Sequence, residues 1–143
     1  MLSLKQALDI AGSVLAQGRT SGFAPLSVAV LDPGAHILSV LRDERASIGR
    51  SDIALAKAAG CLAMGFGGRE LARRAQAAPQ FFSALTRVFH QGIVPVPGGA
   101  LIRATTGELL GAVGVSGDTS DNDELCAVAG IRAVELIADT GAA

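Results

Sequence analysis

The residues able to do chemistry are few, and each has a structural reading beside the chemical one. His36 and His90 are the only histidines. His90 follows Phe81, Phe82 and Phe89 and precedes Gly92, so a possible iron ligand stands beside an apolar wall, the composition that a porphyrin pocket needs. The competing reading is an ordinary surface or capping histidine. His36 begins a β-rich run just after a turn and is expected to face solvent. Lys57 sits among Ala54, Ala56, Ala58 and Ala59. It either snorkels to water or reaches an anion, which can be a propionate, a substrate carboxylate, or Glu124 or Asp43 of the chain itself. Arg42 and Asp43 close a β-rich run and either anchor a carboxylate ligand or form a local surface ion pair. Gly98 and Gly99 follow Pro97 and either offer unobstructed N–H groups to an anion or form a bulge at a strand start.

Other patterns exclude chemistry. Gly114-Val115-Ser116-Gly117-Asp118 does not have the G-x-S-x-G spacing, and no histidine is placed by sequence to activate Ser116, which argues against a serine hydrolase. Gly65-Phe66-Gly67-Gly68 lacks a preceding strand, so it is no dinucleotide fingerprint. Two histidines and two scattered cysteines, Cys61 and Cys126, give no zinc-ligand spacing, and the cysteines read as buried thiols rather than a disulfide. Asp121, Asp123 and Glu124 are explained first as helix-start residues. A role for Glu124 as general base opposite Lys57 requires the two to meet in a pocket.

The elements that must position these residues follow from periodicity and turn chemistry. Ser3 can cap a helix whose apolar positions Leu4, Ala7, Leu8, Ala11, Val14 and Leu15 form one face, with Gly18 and Gly22 ending it. Leu26–Leu31 and His36–Leu41 flank Asp32-Pro33-Gly34-Ala35, an antiparallel hairpin. A helix is expected from Ser51-Asp52 to the glycines at 65, 67 and 68, and a short one from Arg69 to about Ala77. Pro79 breaks that helix before Phe81, Phe82, Leu85, Val88 and Phe89, a cluster expected to lid or plug the core. Ala100–Arg103 and Leu109–Val115 form a second hairpin. Ser120 or Asp121 caps a last helix, apolar nearly all round from Leu125 to Ile137 and therefore expected to be buried on more than one side, in the sheet core or against another subunit. The order implies an α/β (α+β) sandwich: a central antiparallel sheet built from hairpins, with flanking helices, as one domain over residues 1–143.

Composition bounds the function. Twelve Lys and Arg against thirteen Asp and Glu give a net charge of −1, without the basic excess that nucleic-acid binding exploits. No apolar run is long enough to span a membrane, and Met1 to Gln6 shows no signal-peptide pattern, so a cytoplasmic protein is expected. With 18 glycines, no Trp and no Tyr, neighbouring elements can approach closely, as in a small sandwich or an oligomer with close helix contacts.

Asp32-Pro33-Gly34-Ala35, Arg42-Asp43, Ala56-Lys57-Ala58, Pro97-Gly98-Gly99, Gly114-Val115-Ser116-Gly117 and Asp123-Glu124, in that order, resemble the GlcG/HbpS-like family, from Leu4 to about Ala138. The resemblance implies an antiparallel-sheet sandwich assembling as a dimer, tetramer or octamer. It also implies haem or a related tetrapyrrole as ligand, or a role beside catabolic enzymes. In some relatives a histidine on the first helix ligates iron, whereas Lys5 to Arg19 contains none here. Three functions follow. The first is a haem-binding protein in which Phe81, Phe82 and Phe89 contact the macrocycle, Lys57 or Arg42 pairs with its acidic groups and His90 holds the iron. The second is a cofactor-independent enzyme acting on a small carboxylated metabolite, with Arg42, Gly98 and Gly99 holding the anion and Lys57 and Glu124 handling protons. The third is a non-catalytic accessory subunit.

Overall fold

The computed structural model describes residues 1–142. Helix α1 (Leu4–Thr20) opens on a reciprocal cap in which the Ser3 hydroxyl accepts from the Gln6 N–H and the Gln6 side chain accepts from the Ser3 N–H. Its buried stripe is Ala7, Ile10, Ala11, Val14 and Gly18; of the face expected from periodicity, Leu4 and Leu8 are exposed, and the helix continues through Gly18 to Thr20. Strands β1 (Ser27–Leu31) and β2 (Ile37–Arg42) follow, joined by a turn that Asp32 organises by accepting from the Gly34 and His36 N–H groups. Three helices come next, α2 (Gly49–Met64), α3 (Gly68–Ala77) and α4 (Pro79–Leu85). The chain closes with β3 (Gly99–Arg103), β4 (Leu109–Ser116), α5 (Ser120–Ala133) and β5 (Ile137–Asp139).

The five strands form one antiparallel sheet in the order β2-β1-β4-β3-β5. Both expected hairpins are present, and β1 pairs with β4 to join them. Helices α1 and α5 pack together on one face, over Val28, Val30, Val113, Val115 and Ile102. Helix α2 covers the other, over Leu31, Leu101 and Ala112. Because both faces are covered, β1 is buried at every position and β4 at nearly every one. The result is the α/β sandwich that the element order implies.

Small residues set the spacing between α2 and the sheet. A Cβ on Gly114 would lie 2.0 Å from the Ala54 carbonyl oxygen, so the helix backbone rests directly on β4, with Ala54, Ala58 and Cys61 as the buried contact residues. Cys61 and Cys126 are free and buried, and burial pushes their thiols up to about 12 and about 11.

The structure corrects several expectations. The last helix stops at Ala133 rather than running on to Ile137. Glu135 takes a positive φ of 61°, the chain reverses, and Ile137–Asp139 adds a fifth strand to β3. Within this chain α5 is buried on one side only, with Leu125 exposed. Its cap is Thr119, whose hydroxyl accepts from the Asn122 N–H, instead of Ser120 or Asp121. Helix α2 begins at Gly49, two residues before the expected start. The phenylalanine segment plugs the core in part: Phe82 and Leu85 are buried, whereas Phe81 and Val88 are exposed.

Gly114→Ala is expected to lower stability by about 1–3 kcal/mol or more, because helix backbone has to move. Gly12→Ala, on an α1 face where an added Cβ meets nothing within 4 Å, should stabilise by up to about 1 kcal/mol. Urea midpoints of the two variants read both changes.

Candidate functional site

Lys57 projects from α2 into the protein rather than toward water. Its ammonium donates to the Val115 carbonyl oxygen at 2.9 Å and to Asp123 Oδ2 at 3.1 Å, and the two side chains are only 4% and 1% exposed. Asp123 Oδ1 accepts from the Asp118 N–H at 3.0 Å. Burial lowers the Lys57 pKa and raises that of Asp123, and each charge opposes the shift of the other. Gly98, at φ 118°, lies against this pair: a Cβ there would stand 2.7 Å from Lys57 Nζ. A Cβ on Gly99 would stand 2.7 Å from both Cys61 Sγ and the Lys57 carbonyl oxygen. These glycines admit the chain's own lysine and helix backbone instead of forming an open cradle for an anion.

Glu124 does not share a site with Lys57. Its carboxylate accepts from Arg69 Nε and Nη2 at 2.9–3.3 Å, and Asp121 accepts from the same guanidinium at 2.8 Å. The lysine and general base expected under the enzyme reading are therefore not assembled. Asp43 is buried, with its carboxylate taken up by Arg45 and Arg19. The Arg45 side chain and N–H hold that carboxyl well below the usual range. Arg42 donates to the Ala46 carbonyl at 2.8 Å and more distantly to those of Asp43 and Glu44. Asp123, expected from its position to start a helix, is instead the buried partner of Lys57, and Arg69, for which the sequence suggests no role, holds Glu124. The available signal for the first was the adjacency of Asp123 and Glu124.

A groove of about 320 Å³ lies along the C-terminal half of α2. One wall is the first hairpin turn, Pro33 to Ala35, and its base is Ala59, Leu62 and Ala63 of α2. The other wall is Val88 to Gly92, and the Gln91 side chain donates to the Ala35 carbonyl at 2.9 Å, tying the walls together. His90 lines the groove, is exposed, and makes no hydrogen bond among the described residues. Of the three phenylalanines singled out with it, only Phe89 lines the groove. Phe82 is in the core, and Phe81 packs edge-on to it at a centroid distance of 5.7 Å. Lys57, Arg42, Asp43, Gly98 and Gly99 lie outside the lining. His36 is solvent-facing, with Nδ1 3.3 Å from Asp32 Oδ2. No group of three or more His, Cys, Asp or Glu able to hold a metal ion occurs among the described residues. None of the described helices is long and apolar enough to cross a membrane.

These features define an α/β sandwich with a small apolar groove and one free imidazole in its wall. The chain belongs to the family described as haem degrading protein HbpS-like, whose model matches residues 2–132. Klebsiella pneumoniae protein ORFY, a DUF336 protein, is 27% identical over 92% of this chain and 88% of its own, with a TM-score of 0.80. A double mutant of Streptomyces reticuli HbpS is 28% identical over 92% of this chain and 85% of its own, at TM-score 0.78. A PduOC:heme complex shares the fold, at 21% identity, TM-score 0.85, and coverage of 96% of this chain and 98% of its own. No curated protein matches the chain.

Lys57→Met leaves Asp123 buried without its partner and should cost about 3–5 kcal/mol in urea unfolding, whereas the double variant Lys57→Met/Asp123→Leu should recover most of that loss. The depressed Asp43 carboxyl contributes stability that is fully present above its unfolded pKa of about 3.9 and is lost as pH falls toward its folded value. Urea midpoints between neutral pH and pH of about 3 should therefore fall less steeply in Asp43→Asn than in the parent.

Proposed function

We propose that this chain binds haem, or a closely related tetrapyrrole, in the groove between the first hairpin turn and Val88–Gly92, with His90 as the iron ligand. The observation that carries the reading is the unengaged, exposed imidazole of His90 in a wall whose other members are largely apolar. Membership of the HbpS-like family supports it. The residues present fit the group. Phe89, Val88 and Leu62 supply apolar surface for one edge of the macrocycle, and the small side chains of Ala35, Ala59 and Ala63 keep the groove open to it. Imidazole is an ordinary axial ligand for haem iron. The bound iron would supply redox and ligand-exchange chemistry, while the chain supplies burial of the ring and the axial nitrogen. Gln91 has a positioning role, because its bond to Ala35 fixes the residue next to His90 against the opposite wall.

Haemin titration followed in the Soret region is expected to give a saturable, near-stoichiometric band. His90→Ala should shift that band and weaken binding by about tenfold or more, a loss of roughly 1.4 kcal/mol or above. Phe89→Ala should weaken binding without moving the band. Absorbance that never saturates and is indifferent to His90→Ala would exclude this reading.

A further inference from the structure

The end of the sheet where β1 begins and β4 finishes carries a second polar group that the groove does not use. Ser27 pairs with Arg42 on one side and with Ser116 on the other, so β2, β1 and β4 set these three residues in a row. Cross-strand partners share a face, and here it is the face covered by α2. Ser51 Oγ of α2 donates to Ser27 Oγ at 3.3 Å, and Arg50 Nη1 donates to Ser116 Oγ at 3.2 Å. Ser27 and Ser116 are fully buried, Arg50 and Ser51 are half-buried, and Arg42 is exposed. The group thus runs from the protein interior to solvent.

Its charge is not balanced locally. Arg19, Arg45, Arg69, Arg73, Arg74 and Arg103 all have carboxylate partners. Among the described residues Arg50 has none, and its side chain donates only to the Ser116 hydroxyl. Arg42 also lacks one, and only its Nη1 is engaged, by backbone carbonyls. Nearby carboxylates are committed elsewhere: Asp43 to Arg19 and Arg45, and Asp123 to Lys57. Asp118 accepts from the Ala24 and Thr119 N–H groups and from Asn122, Glu44 lies 4.0 Å from Arg19, and Asp52, exposed in the first turn of α2, makes no ion pair with Arg50 or Arg42. Holding a half-buried guanidinium against a buried hydroxyl leaves most of its N–H donors available, in the planar arrangement that matches an oxyanion.

We propose that this end of the sandwich binds a small oxyanion, a carboxylate or phosphate group. Arg50 is the contact, Arg42 stands at the rim, and Ser116 is the positioning residue that holds Arg50; the Ser51 hydroxyl, whose one hydrogen goes to Ser27, closes the row beside them. None of these residues lines the groove, so the site is separate from the proposed haem groove.

Calorimetric titration of the haem-free protein with inorganic phosphate, and separately with malonate, tests the proposal. At least one probe should bind saturably, and which one does so assigns the anion class. Arg50→Gln should weaken binding by about tenfold or more. Ser116→Ala should weaken it less, and Arg87→Gln, at an exposed arginine elsewhere, should leave it unchanged. In the unmodified protein the Arg50 Nε–Hε NMR resonance should move on saturation, a readout that no folding defect can imitate. Absence of saturable binding of both probes, a stationary Arg50 resonance, or equal losses in Arg50→Gln and Arg87→Gln would overturn the assignment.

Discussion

The Lys57 ammonium and the Asp123 carboxylate meet where α2, the end of β4 and the start of α5 converge, and much of the local sequence follows from accommodating them. Two charges taken out of water together have to satisfy their remaining hydrogen-bonding capacity inside the protein. The Val115 carbonyl and the Asp118 N–H do so here. The pair leaves no space for a side chain at Gly98, while Gly99 and Gly114 are filled by the α2 backbone itself and, at Gly99, by Cys61. Gly98, Gly99 and Gly114 are thus what lets α2 and its lysine come this close to the sheet. The pair bridges helices on opposite faces of the sheet, from α2 to α5.

What was legible in the sequence was mostly local. Asp32-Pro33-Gly34 specifies its own turn, and the runs on either side alternate between faces, so the first hairpin could be read directly. The first helix carried its cap, but its buried stripe runs through Ile10 instead of Leu4 and Leu8, which are exposed. β5 could not be read in this way. Three residues following an apolar helix look like its continuation, and only the reversal at Glu135 and the distant partner β3 make them a strand. The site was half legible for a similar reason. A lysine in an alanine-rich helix face announces that it needs a partner, and Asp123-Glu124 was the right neighbourhood. Adjacent helix residues point roughly 100° apart, however. That single step separates the acid buried against Lys57 from the one held by Arg69. Phe82 shows the converse problem, since an aromatic close in sequence to a candidate ligand can serve the core instead.

Family and site answer different questions. Membership of the HbpS-like family accounts for the sheet order and for motifs scattered along the chain, and those motifs converge on the fold's internal supports as much as on any ligand. Pro97-Gly98-Gly99, Lys57 and Asp123 come together around the buried pair, and Asp43 gathers two arginines beside the β2 end. The groove uses a different set: the first hairpin turn, the outer surface of α2, and Val88 to Gly92. Of the motif residues, only the hairpin turn contributes to it.

The second groove wall lies in the stretch between α2 and β3, outside the strand ladder, and its polar tie to the rest is the bond from Gln91 to the Ala35 carbonyl. Substitutions, insertions or deletions there need not disturb strand register or the packing of α1 and α5. With the groove as the proposed ligand site, selection for its lining acts on one stretch of chain while selection for folding acts on another. Relatives that share this sandwich are free to diverge in ligand preference at little cost to the shared architecture.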